Sequence, residues 1–144
     1  MLSFISNSEH YGEVLARVQS VKRSLWIGTA DIKDLYVKVG KEKKPFLALI
    51  ALLIRRYDRL ERVLCPRVHF KMLVFDCEEV YIGSANLTGA GIGMKSSDKR
   101  NFEAGILTDE SQIVEQAMKQ FDDVWIGKHC KTCRRKDYCP DPIV

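Results

Sequence analysis

A chain of 144 residues that is 46% hydrophobic and 29% charged has the make-up of an ordinary soluble globular protein, long enough for one domain with its own core. With 23 Lys+Arg against 19 Asp+Glu, the net charge of +4 suits a protein that handles polyanions without requiring one. The longest apolar run, Phe46 to Ile54, falls far short of the roughly 20 residues of a bilayer span, so no membrane crossing is expected.

Met1-Leu2-Ser3-Phe4 shows neither a basic segment nor an extended apolar segment of a secretory signal. The chain is therefore read as cytoplasmic, and its five cysteines as thiols or metal ligands before disulfides. Apolar positions Tyr11, Val14, Leu15, Val18 and Val21 predict a helix over 8–24, with Ser8 as its cap. Leu25-Trp26-Ile27-Gly28-Thr29-Ala30 reads as a buried strand, and the polar, lysine-rich segment 38–44 as an exposed loop. Pro45 stands at the first position of a helix running from Phe46 to about Leu60. That helix is apolar nearly all round in its first half, and Arg55, Arg56, Arg59 and Arg62 crowd its end.

Val63 to Phe75 reads as extended structure interrupted by Pro66, and Glu79 to Gly83 as the next strand. Gly89, Gly91 and Gly93 predict a mobile loop over 88–100, and Phe102 to Leu107 a further strand. Asp109 with Gln112 has the spacing of a capping box. The helix that follows carries Ile113, Val114, Ala117, Met118, Phe121, Val124 and Trp125 on one stripe. Alternating helices and short strands predict an α/β fold, a mixed sheet flanked by helices over residues 1–126, with a short Cys-rich tail over 127–144.

The chemistry concentrates in His69-Phe70-Lys71, Asp76 and Gly83-Ser84-Ala85-Asn86. Alternation along a strand puts His69 and Lys71 on one side, and pairing through the turn at Cys77-Glu78 returns Asn86 beside them. An imidazole, an ammonium and a carboxamide around one point suit a phosphoryl group. Lys71 can neutralise non-bridging oxygens, Asn86 and Ser84 can donate hydrogen bonds to them, and His69 can attack phosphorus or move a proton. No pair of carboxylates stands near with ligand spacing, so no metal or other cofactor is expected for the chemistry.

The pattern H-x-K-x(4)-D-x(6)-G-S-x-N, met by His69, Lys71, Asp76, Gly83, Ser84 and Asn86, resembles the signature of the phospholipase D-like superfamily. Trp26 to Ala30 is similar to the first strand of that family, and Asn101-Phe102-Glu103-Ala104-Gly105 to its downstream acidic segment. The resemblance implies two motifs per active site. This chain carries one, since neither His10 nor His129 is followed by Lys two positions later, so it implies a homodimer with two His69 rings at the two-fold axis. It further implies a phosphohistidine intermediate, Glu103 as the carboxylate that orients an imidazole, and a supporting role for Asp76, which alternation turns away from His69. Family members often carry an extra strand and helix before the motif strand. Here only Glu61 to Val68 fills that space, which implies a smaller sheet or a more open cleft.

A lone histidine is usually a surface or satisfied core residue, and His69 departs from that only through its company. The Gly89–Gly93 run lacks the Lys-Ser/Thr of a nucleotide loop, although Lys95, Lys99 and Arg100 could touch a substrate from beside it. The arginines from Arg55 to Arg62 are by default a solvated helix end. In the tail, Cys130-x2-Cys133 has the form of a zinc knuckle, and Cys139 with His129 or Cys65 would complete four ligands of a structural Zn²⁺. Adjacent His129 and Cys130 bind one ion poorly together; disulfides, free thiols and an iron–sulfur cluster stand as alternatives. The leading function is a metal-independent phosphodiesterase, an endonuclease on DNA or RNA. The rivals are a lipid phosphodiesterase, and a phosphate- or nucleic-acid-binding module with little turnover.

Overall fold

The computed structural model describes residues 1–143 except 34, 40, 47, 49 and 51–60, with the backbone alone at 37–39. Most of the expected helix over 46–60, including Arg55, Arg56 and Arg59, lies outside the described residues; Phe46 and Ile50, within it, are helical.

Five strands form the central sheet: β1 (Leu2–Ser6), β2 (Leu25–Gly28), β6 (Lys71–Phe75), β7 (Glu79–Gly83) and β9 (Ala104–Thr108). Their order is β1-β9-β7-β6-β2, and all neighbours are antiparallel. β7 lies at the middle of the sheet, and beside it the residues Lys71 to Phe75 of β6 are all buried, as a run of apolar side chains between two covered faces requires. On one face lie Leu73, Phe75, Tyr81 and Leu107, packed against Val14, Leu15 and Val18. Those three come from a π-turn (His10–Val14) that runs into α1 (Leu15–Ser20), a shorter and less regular helix than the sequence periodicity predicts.

The other face is covered by α2 (Ser111–Trp125), whose Val114, Ala117, Met118 and Phe121 pack on Met72, Val74 and Val80. The expected stripe is thus realised, but the capping box is not. Asp109 instead pairs with the Met1 amino group, and the amide of Glu110 donates to Thr108 Oγ1 at 3.1 Å. A carboxylate offered an ammonium forgoes the weaker cap.

Two small sheets complete the structure. β4 (Tyr36–Val39) and β5 (Glu42–Pro45) pair antiparallel where the lysine content predicts a loop. The β-branched valines at 37 and 39 favour a strand that the flanking charges disguise. Pro45 closes β5, one residue before the helical Phe46. β3 (Ile32–Lys33) pairs in parallel with β8 (Leu87–Thr88).

Candidate active site

The hairpin of β6 and β7 assembles the centre. Lys71 pairs with Gly83 and Phe75 with Glu79, around a turn in which Asp76 (φ 55) and Cys77 (φ 62) are both left-handed, the φ signature of a type I′ connection. Register therefore brings the start of β6 beside the end of β7. The start of β9 joins them, with Gly83 opposite Gly105 and the Ser84 amide donating to the Ala104 carbonyl at 3.0 Å.

His69 is exposed at the head of β6, after a turn closed by the Val68 amide on the Cys65 carbonyl at 3.1 Å. Lys71 is 9% exposed. Its Nζ donates to the His69 carbonyl at 2.8 Å and lies 3.2 Å from His69 Nδ1. Among the described residues no carboxylate pairs with Lys71, and the His69 ring is bonded by Lys71 alone. A buried ammonium without a counter-ion is costly, and an arriving anion offsets that cost.

Ser84 Oγ donates to Glu103, whose other oxygen accepts from Asn101 Nδ2 at 3.0 Å. Glu103 is thus gathered to Ser84, and not to the His69 ring of its own chain, the imidazole that the resemblance would have it orient. Asn86 is half-buried and its Oδ1 has no hydrogen-bond partner among the described residues. The run Gly89–Gly93, expected to be a mobile loop at the cleft, is mostly buried and packs on this stretch. A Cβ at Gly91 would meet the Asn86 carbonyl oxygen at 2.6 Å, so glycine here permits the close approach that fixes Asn86. The same turn presents Lys95 and Lys99, both exposed, and Arg100 above Asn101.

Beneath Glu103 lies a pair that sequence reasoning missed. His10 is fully buried, its Nδ1 2.8 Å from the Asn7 carbonyl, its Nε2 without a partner among the described residues and its ring edge-on to Tyr81 with centroids 5.4 Å apart. Burial pushes this imidazole below its ordinary range, against upward pulls from the Asn7 carbonyl, Glu103 and Glu9. Burial likewise raises the Tyr81 hydroxyl far above its usual range. Nothing in the local sequence marks either residue; only the register of β1 on β9, Ser6 opposite Ala104, brings His10 here.

Asp76 stands at the opposite end of β6. Its carboxylate accepts the amides of Arg23 at 2.6 Å, Ser24 at 2.9 Å and Lys22 at 3.0 Å, clipping the start of β2 to the hairpin. Burial acts against its ionised form, but these three amides and the charge of Arg23 outweigh it and hold its pKa low.

In the tail, all cysteines are free thiols, and among the described residues no three of His, Cys, Asp and Glu gather closely enough to hold a metal ion. Cys130, Cys133 and Cys139 are half-buried and His129 is exposed. A cavity of about 1130 Å³ opens beside His69, between β2, the 61–70 segment and the end of α2, with Trp26, Phe70, Phe121 and Trp125 on its walls and Arg23 and Arg62 among its lining residues. Among the described residues no helix is long and apolar enough to cross a membrane.

An antiparallel sheet that brings one H-x-K strand against one G-S-x-N strand end defines the phospholipase D type of domain. Residues 16–125 match the family described as "Cardiolipin synthase, PLD-like domain", and the chain belongs to that family and so to the phospholipase D-like superfamily of phosphodiesterases. Ten chains of solved structures match its fold, two of them as follows. NucT from Helicobacter pylori is 14% identical with a TM-score of 0.54, covering 85% of this chain and 94% of its own. Nuc from Salmonella typhimurium, a phospholipase D family member, is 18% identical with a TM-score of 0.57, covering 87% and 93%. No curated protein matches the sequence.

Proposed function

We propose that this chain is a metal-independent nuclease that cleaves DNA or RNA through a phosphohistidine in a homodimeric active site. The observation that carries the reading is the Lys71 ammonium, nine-tenths buried, without a carboxylate partner among the described residues and set against the His69 ring: a receptor for a phosphate beside a nucleophile. One His69 attacks phosphorus, forming the P–N bond as the bond to the leaving oxygen breaks. The second His69 gives that oxygen its proton. The now neutral second imidazole takes a proton from water, whose oxygen displaces the first histidine and frees the phosphate. The two identical rings must hold different protonation states and titrate as a coupled pair. Lys71 neutralises the phosphoryl oxygens, with Asn86 and Ser84 as donors, while Glu103 orients an imidazole and stabilises its charged form.

A second copy is supported by an uncovered apolar stripe. Phe4 on β1, Ile106 on β9 and Ile82 on β7 lie in register on the part of the α2-covered face that the helix does not reach, 72%, 46% and 38% exposed. Phe102, next to Glu103, is 94% exposed. Apolar surface gathered beside half of an active site suits a two-fold partner. Nucleic acid is favoured over lipid by the basic groups that flank the site, Arg62 and Arg67 before His69 and Lys95, Lys99 and Arg100 after Asn86. The free thiols fit a reducing, cytoplasmic location.

The test is cleavage of labelled single- and double-stranded DNA and RNA, and of phospholipid vesicles, in excess EDTA. Nucleic-acid cleavage that survives EDTA and vanishes in His69→Ala while binding persists supports the reading. Binding with no cleavage by the native protein leaves a binding module instead, and hydrolysis of lipid alone leaves the lipid enzyme.

A further inference from the structure

The tail over 127–143 contains no buried residue, yet it folds into defined turns at one place on the domain. Asp141 accepts the Leu64 amide at 2.7 Å, and Cys139 Sγ lies 3.8 Å from the Leu64 carbonyl, which brings it next to Cys65. The Cys133 amide closes the Cys130–Cys133 turn on the Cys130 carbonyl at 3.1 Å, and the Arg135 amide donates to Cys133 Sγ at 3.4 Å, as amides do to metal-bound thiolates. Cys65, Cys130, Cys133 and Cys139 are all half-buried, whereas Cys77, in the β6–β7 turn, is exposed. A segment without a hydrophobic core needs another source of order, and small units of this kind find it in a metal or in disulfides.

We propose that Cys65, Cys130, Cys133 and Cys139 form a four-thiolate centre for Zn²⁺ that staples the tail to the segment before the motif strand. The donor set rejects hard cations, and four sulfurs at about 2.3 Å from the ion match tetrahedral zinc. Cys65 replaces His129, which is exposed and directly precedes Cys130. The sulfurs do not converge to ligand distance in the structure, so the ion draws the tail and the 61–67 segment together as it displaces the four thiol protons. Held this way, Cys65 fixes the chain four residues before His69. The centre stands or falls independently of the nuclease reading.

The experiment is metal analysis of the full chain purified under reducing, chelator-free conditions, followed by exchange with Co²⁺. One zinc per chain and the charge-transfer and ligand-field bands of a tetrahedral four-thiolate cobalt site are expected. Cys65→Ser and Cys139→Ser should each lose the stoichiometric metal, while Cys77→Ser and His129→Ala keep it. Absence of metal, zinc retained in Cys65→Ser, zinc lost from His129→Ala, or iron with acid-labile sulfide in its place would each overturn the assignment. Should the Cys65 variant not fold, the cobalt spectrum of the native chain still counts the thiolates.

Discussion

Asp76 belongs to the motif, yet it lies five steps along the strand from Lys71, roughly 16 Å at the rise of a β-strand. Its carboxylate holds three backbone amides, of Lys22, Arg23 and Ser24, and these set the expected cost of removing it. A hydrogen bond to a charged group is worth about 1.5–3 kcal/mol, but the site is only partly buried and water replaces part of each bond, so Asp76→Ala should lose about 2–3 kcal/mol. Alanine also tolerates φ 55 less well than aspartate. In a chain of this size the loss corresponds to a fall in Tm of roughly 5–10 °C. Asp76→Asn keeps an oxygen for Arg23 and Ser24 and accepts the left-handed backbone, so about 1 kcal/mol is expected. Because the folded-state pKa of Asp76 is depressed, its contribution is complete above the ordinary carboxylate range and fades as pH falls through the folded value. The gap between native and Asp76→Asn should therefore close in acid. Thermal melts across pH, run beside cleavage assays below the melting range, check both halves. An Asp76→Ala protein with unchanged Tm and cleavage reduced a hundredfold would refute the reasoning and move Asp76 to the phosphate.

Lys71→Met should remove about 10²–10³ of the cleavage rate while leaving stability unchanged or raised, since a buried cation without a carboxylate partner gives way to an apolar chain of similar length; kinetics and urea melts read the two effects. Gly83→Ala would set a Cβ 2.1 Å from Tyr81 Oη and 2.9 Å from the Ala104 carbonyl oxygen, so a loss of about 1–3 kcal/mol is expected in denaturant melts. Adding Tyr81→Phe should recover only part of it, because the carbonyl stays in place. His10 has a lowered pKa, so below about pH 6.5 the unfolded chain takes up a proton that the folded one refuses, and stability should fall as pH drops towards the folded value. His10→Gln should flatten that acid limb in melts at stepped pH. Phe4→Asp with Ile106→Asp should shift the protein to monomer in analytical ultracentrifugation and abolish cleavage together; a double variant that is monomeric and fully active would end the two-fold mechanism.

The motif strands were legible because their chemistry and burial agree: Lys71-Met72-Leu73-Val74-Phe75 and Glu79 to Gly83 appear where alternation and apolar runs place them. The start of β6 meets the end of β7 because a short turn fixes the register of that hairpin, whereas Glu103 reaches Ser84 through the pairing of β9 with β7 across the connection 84–103. What depends on distant contacts was not legible. β1, an edge strand of five residues, is fixed by β9 a hundred positions away, and His10 with it. The Gly89–Gly93 turn looks mobile by composition, yet its glycines serve close packing, and Gly93, at φ 78, would carry a Cβ 2.6 Å from the Asn7 carbonyl. Asp109 preferred an ammonium to the helix end that its spacing suggests.

The left-handed corner at Asp76 and Cys77 gives the six-residue gap between Asp76 and Gly83 a meaning beyond recognition. Because side chains alternate with a period of two, deleting or adding one residue anywhere in that gap would slide β7 by one step and turn its contacts inside out. Evolution can vary what these strands carry, but not how many residues lie between their fixed points, so length changes in this region should be lethal to the fold while substitutions in the exposed turn, at Glu78 for example, are absorbed.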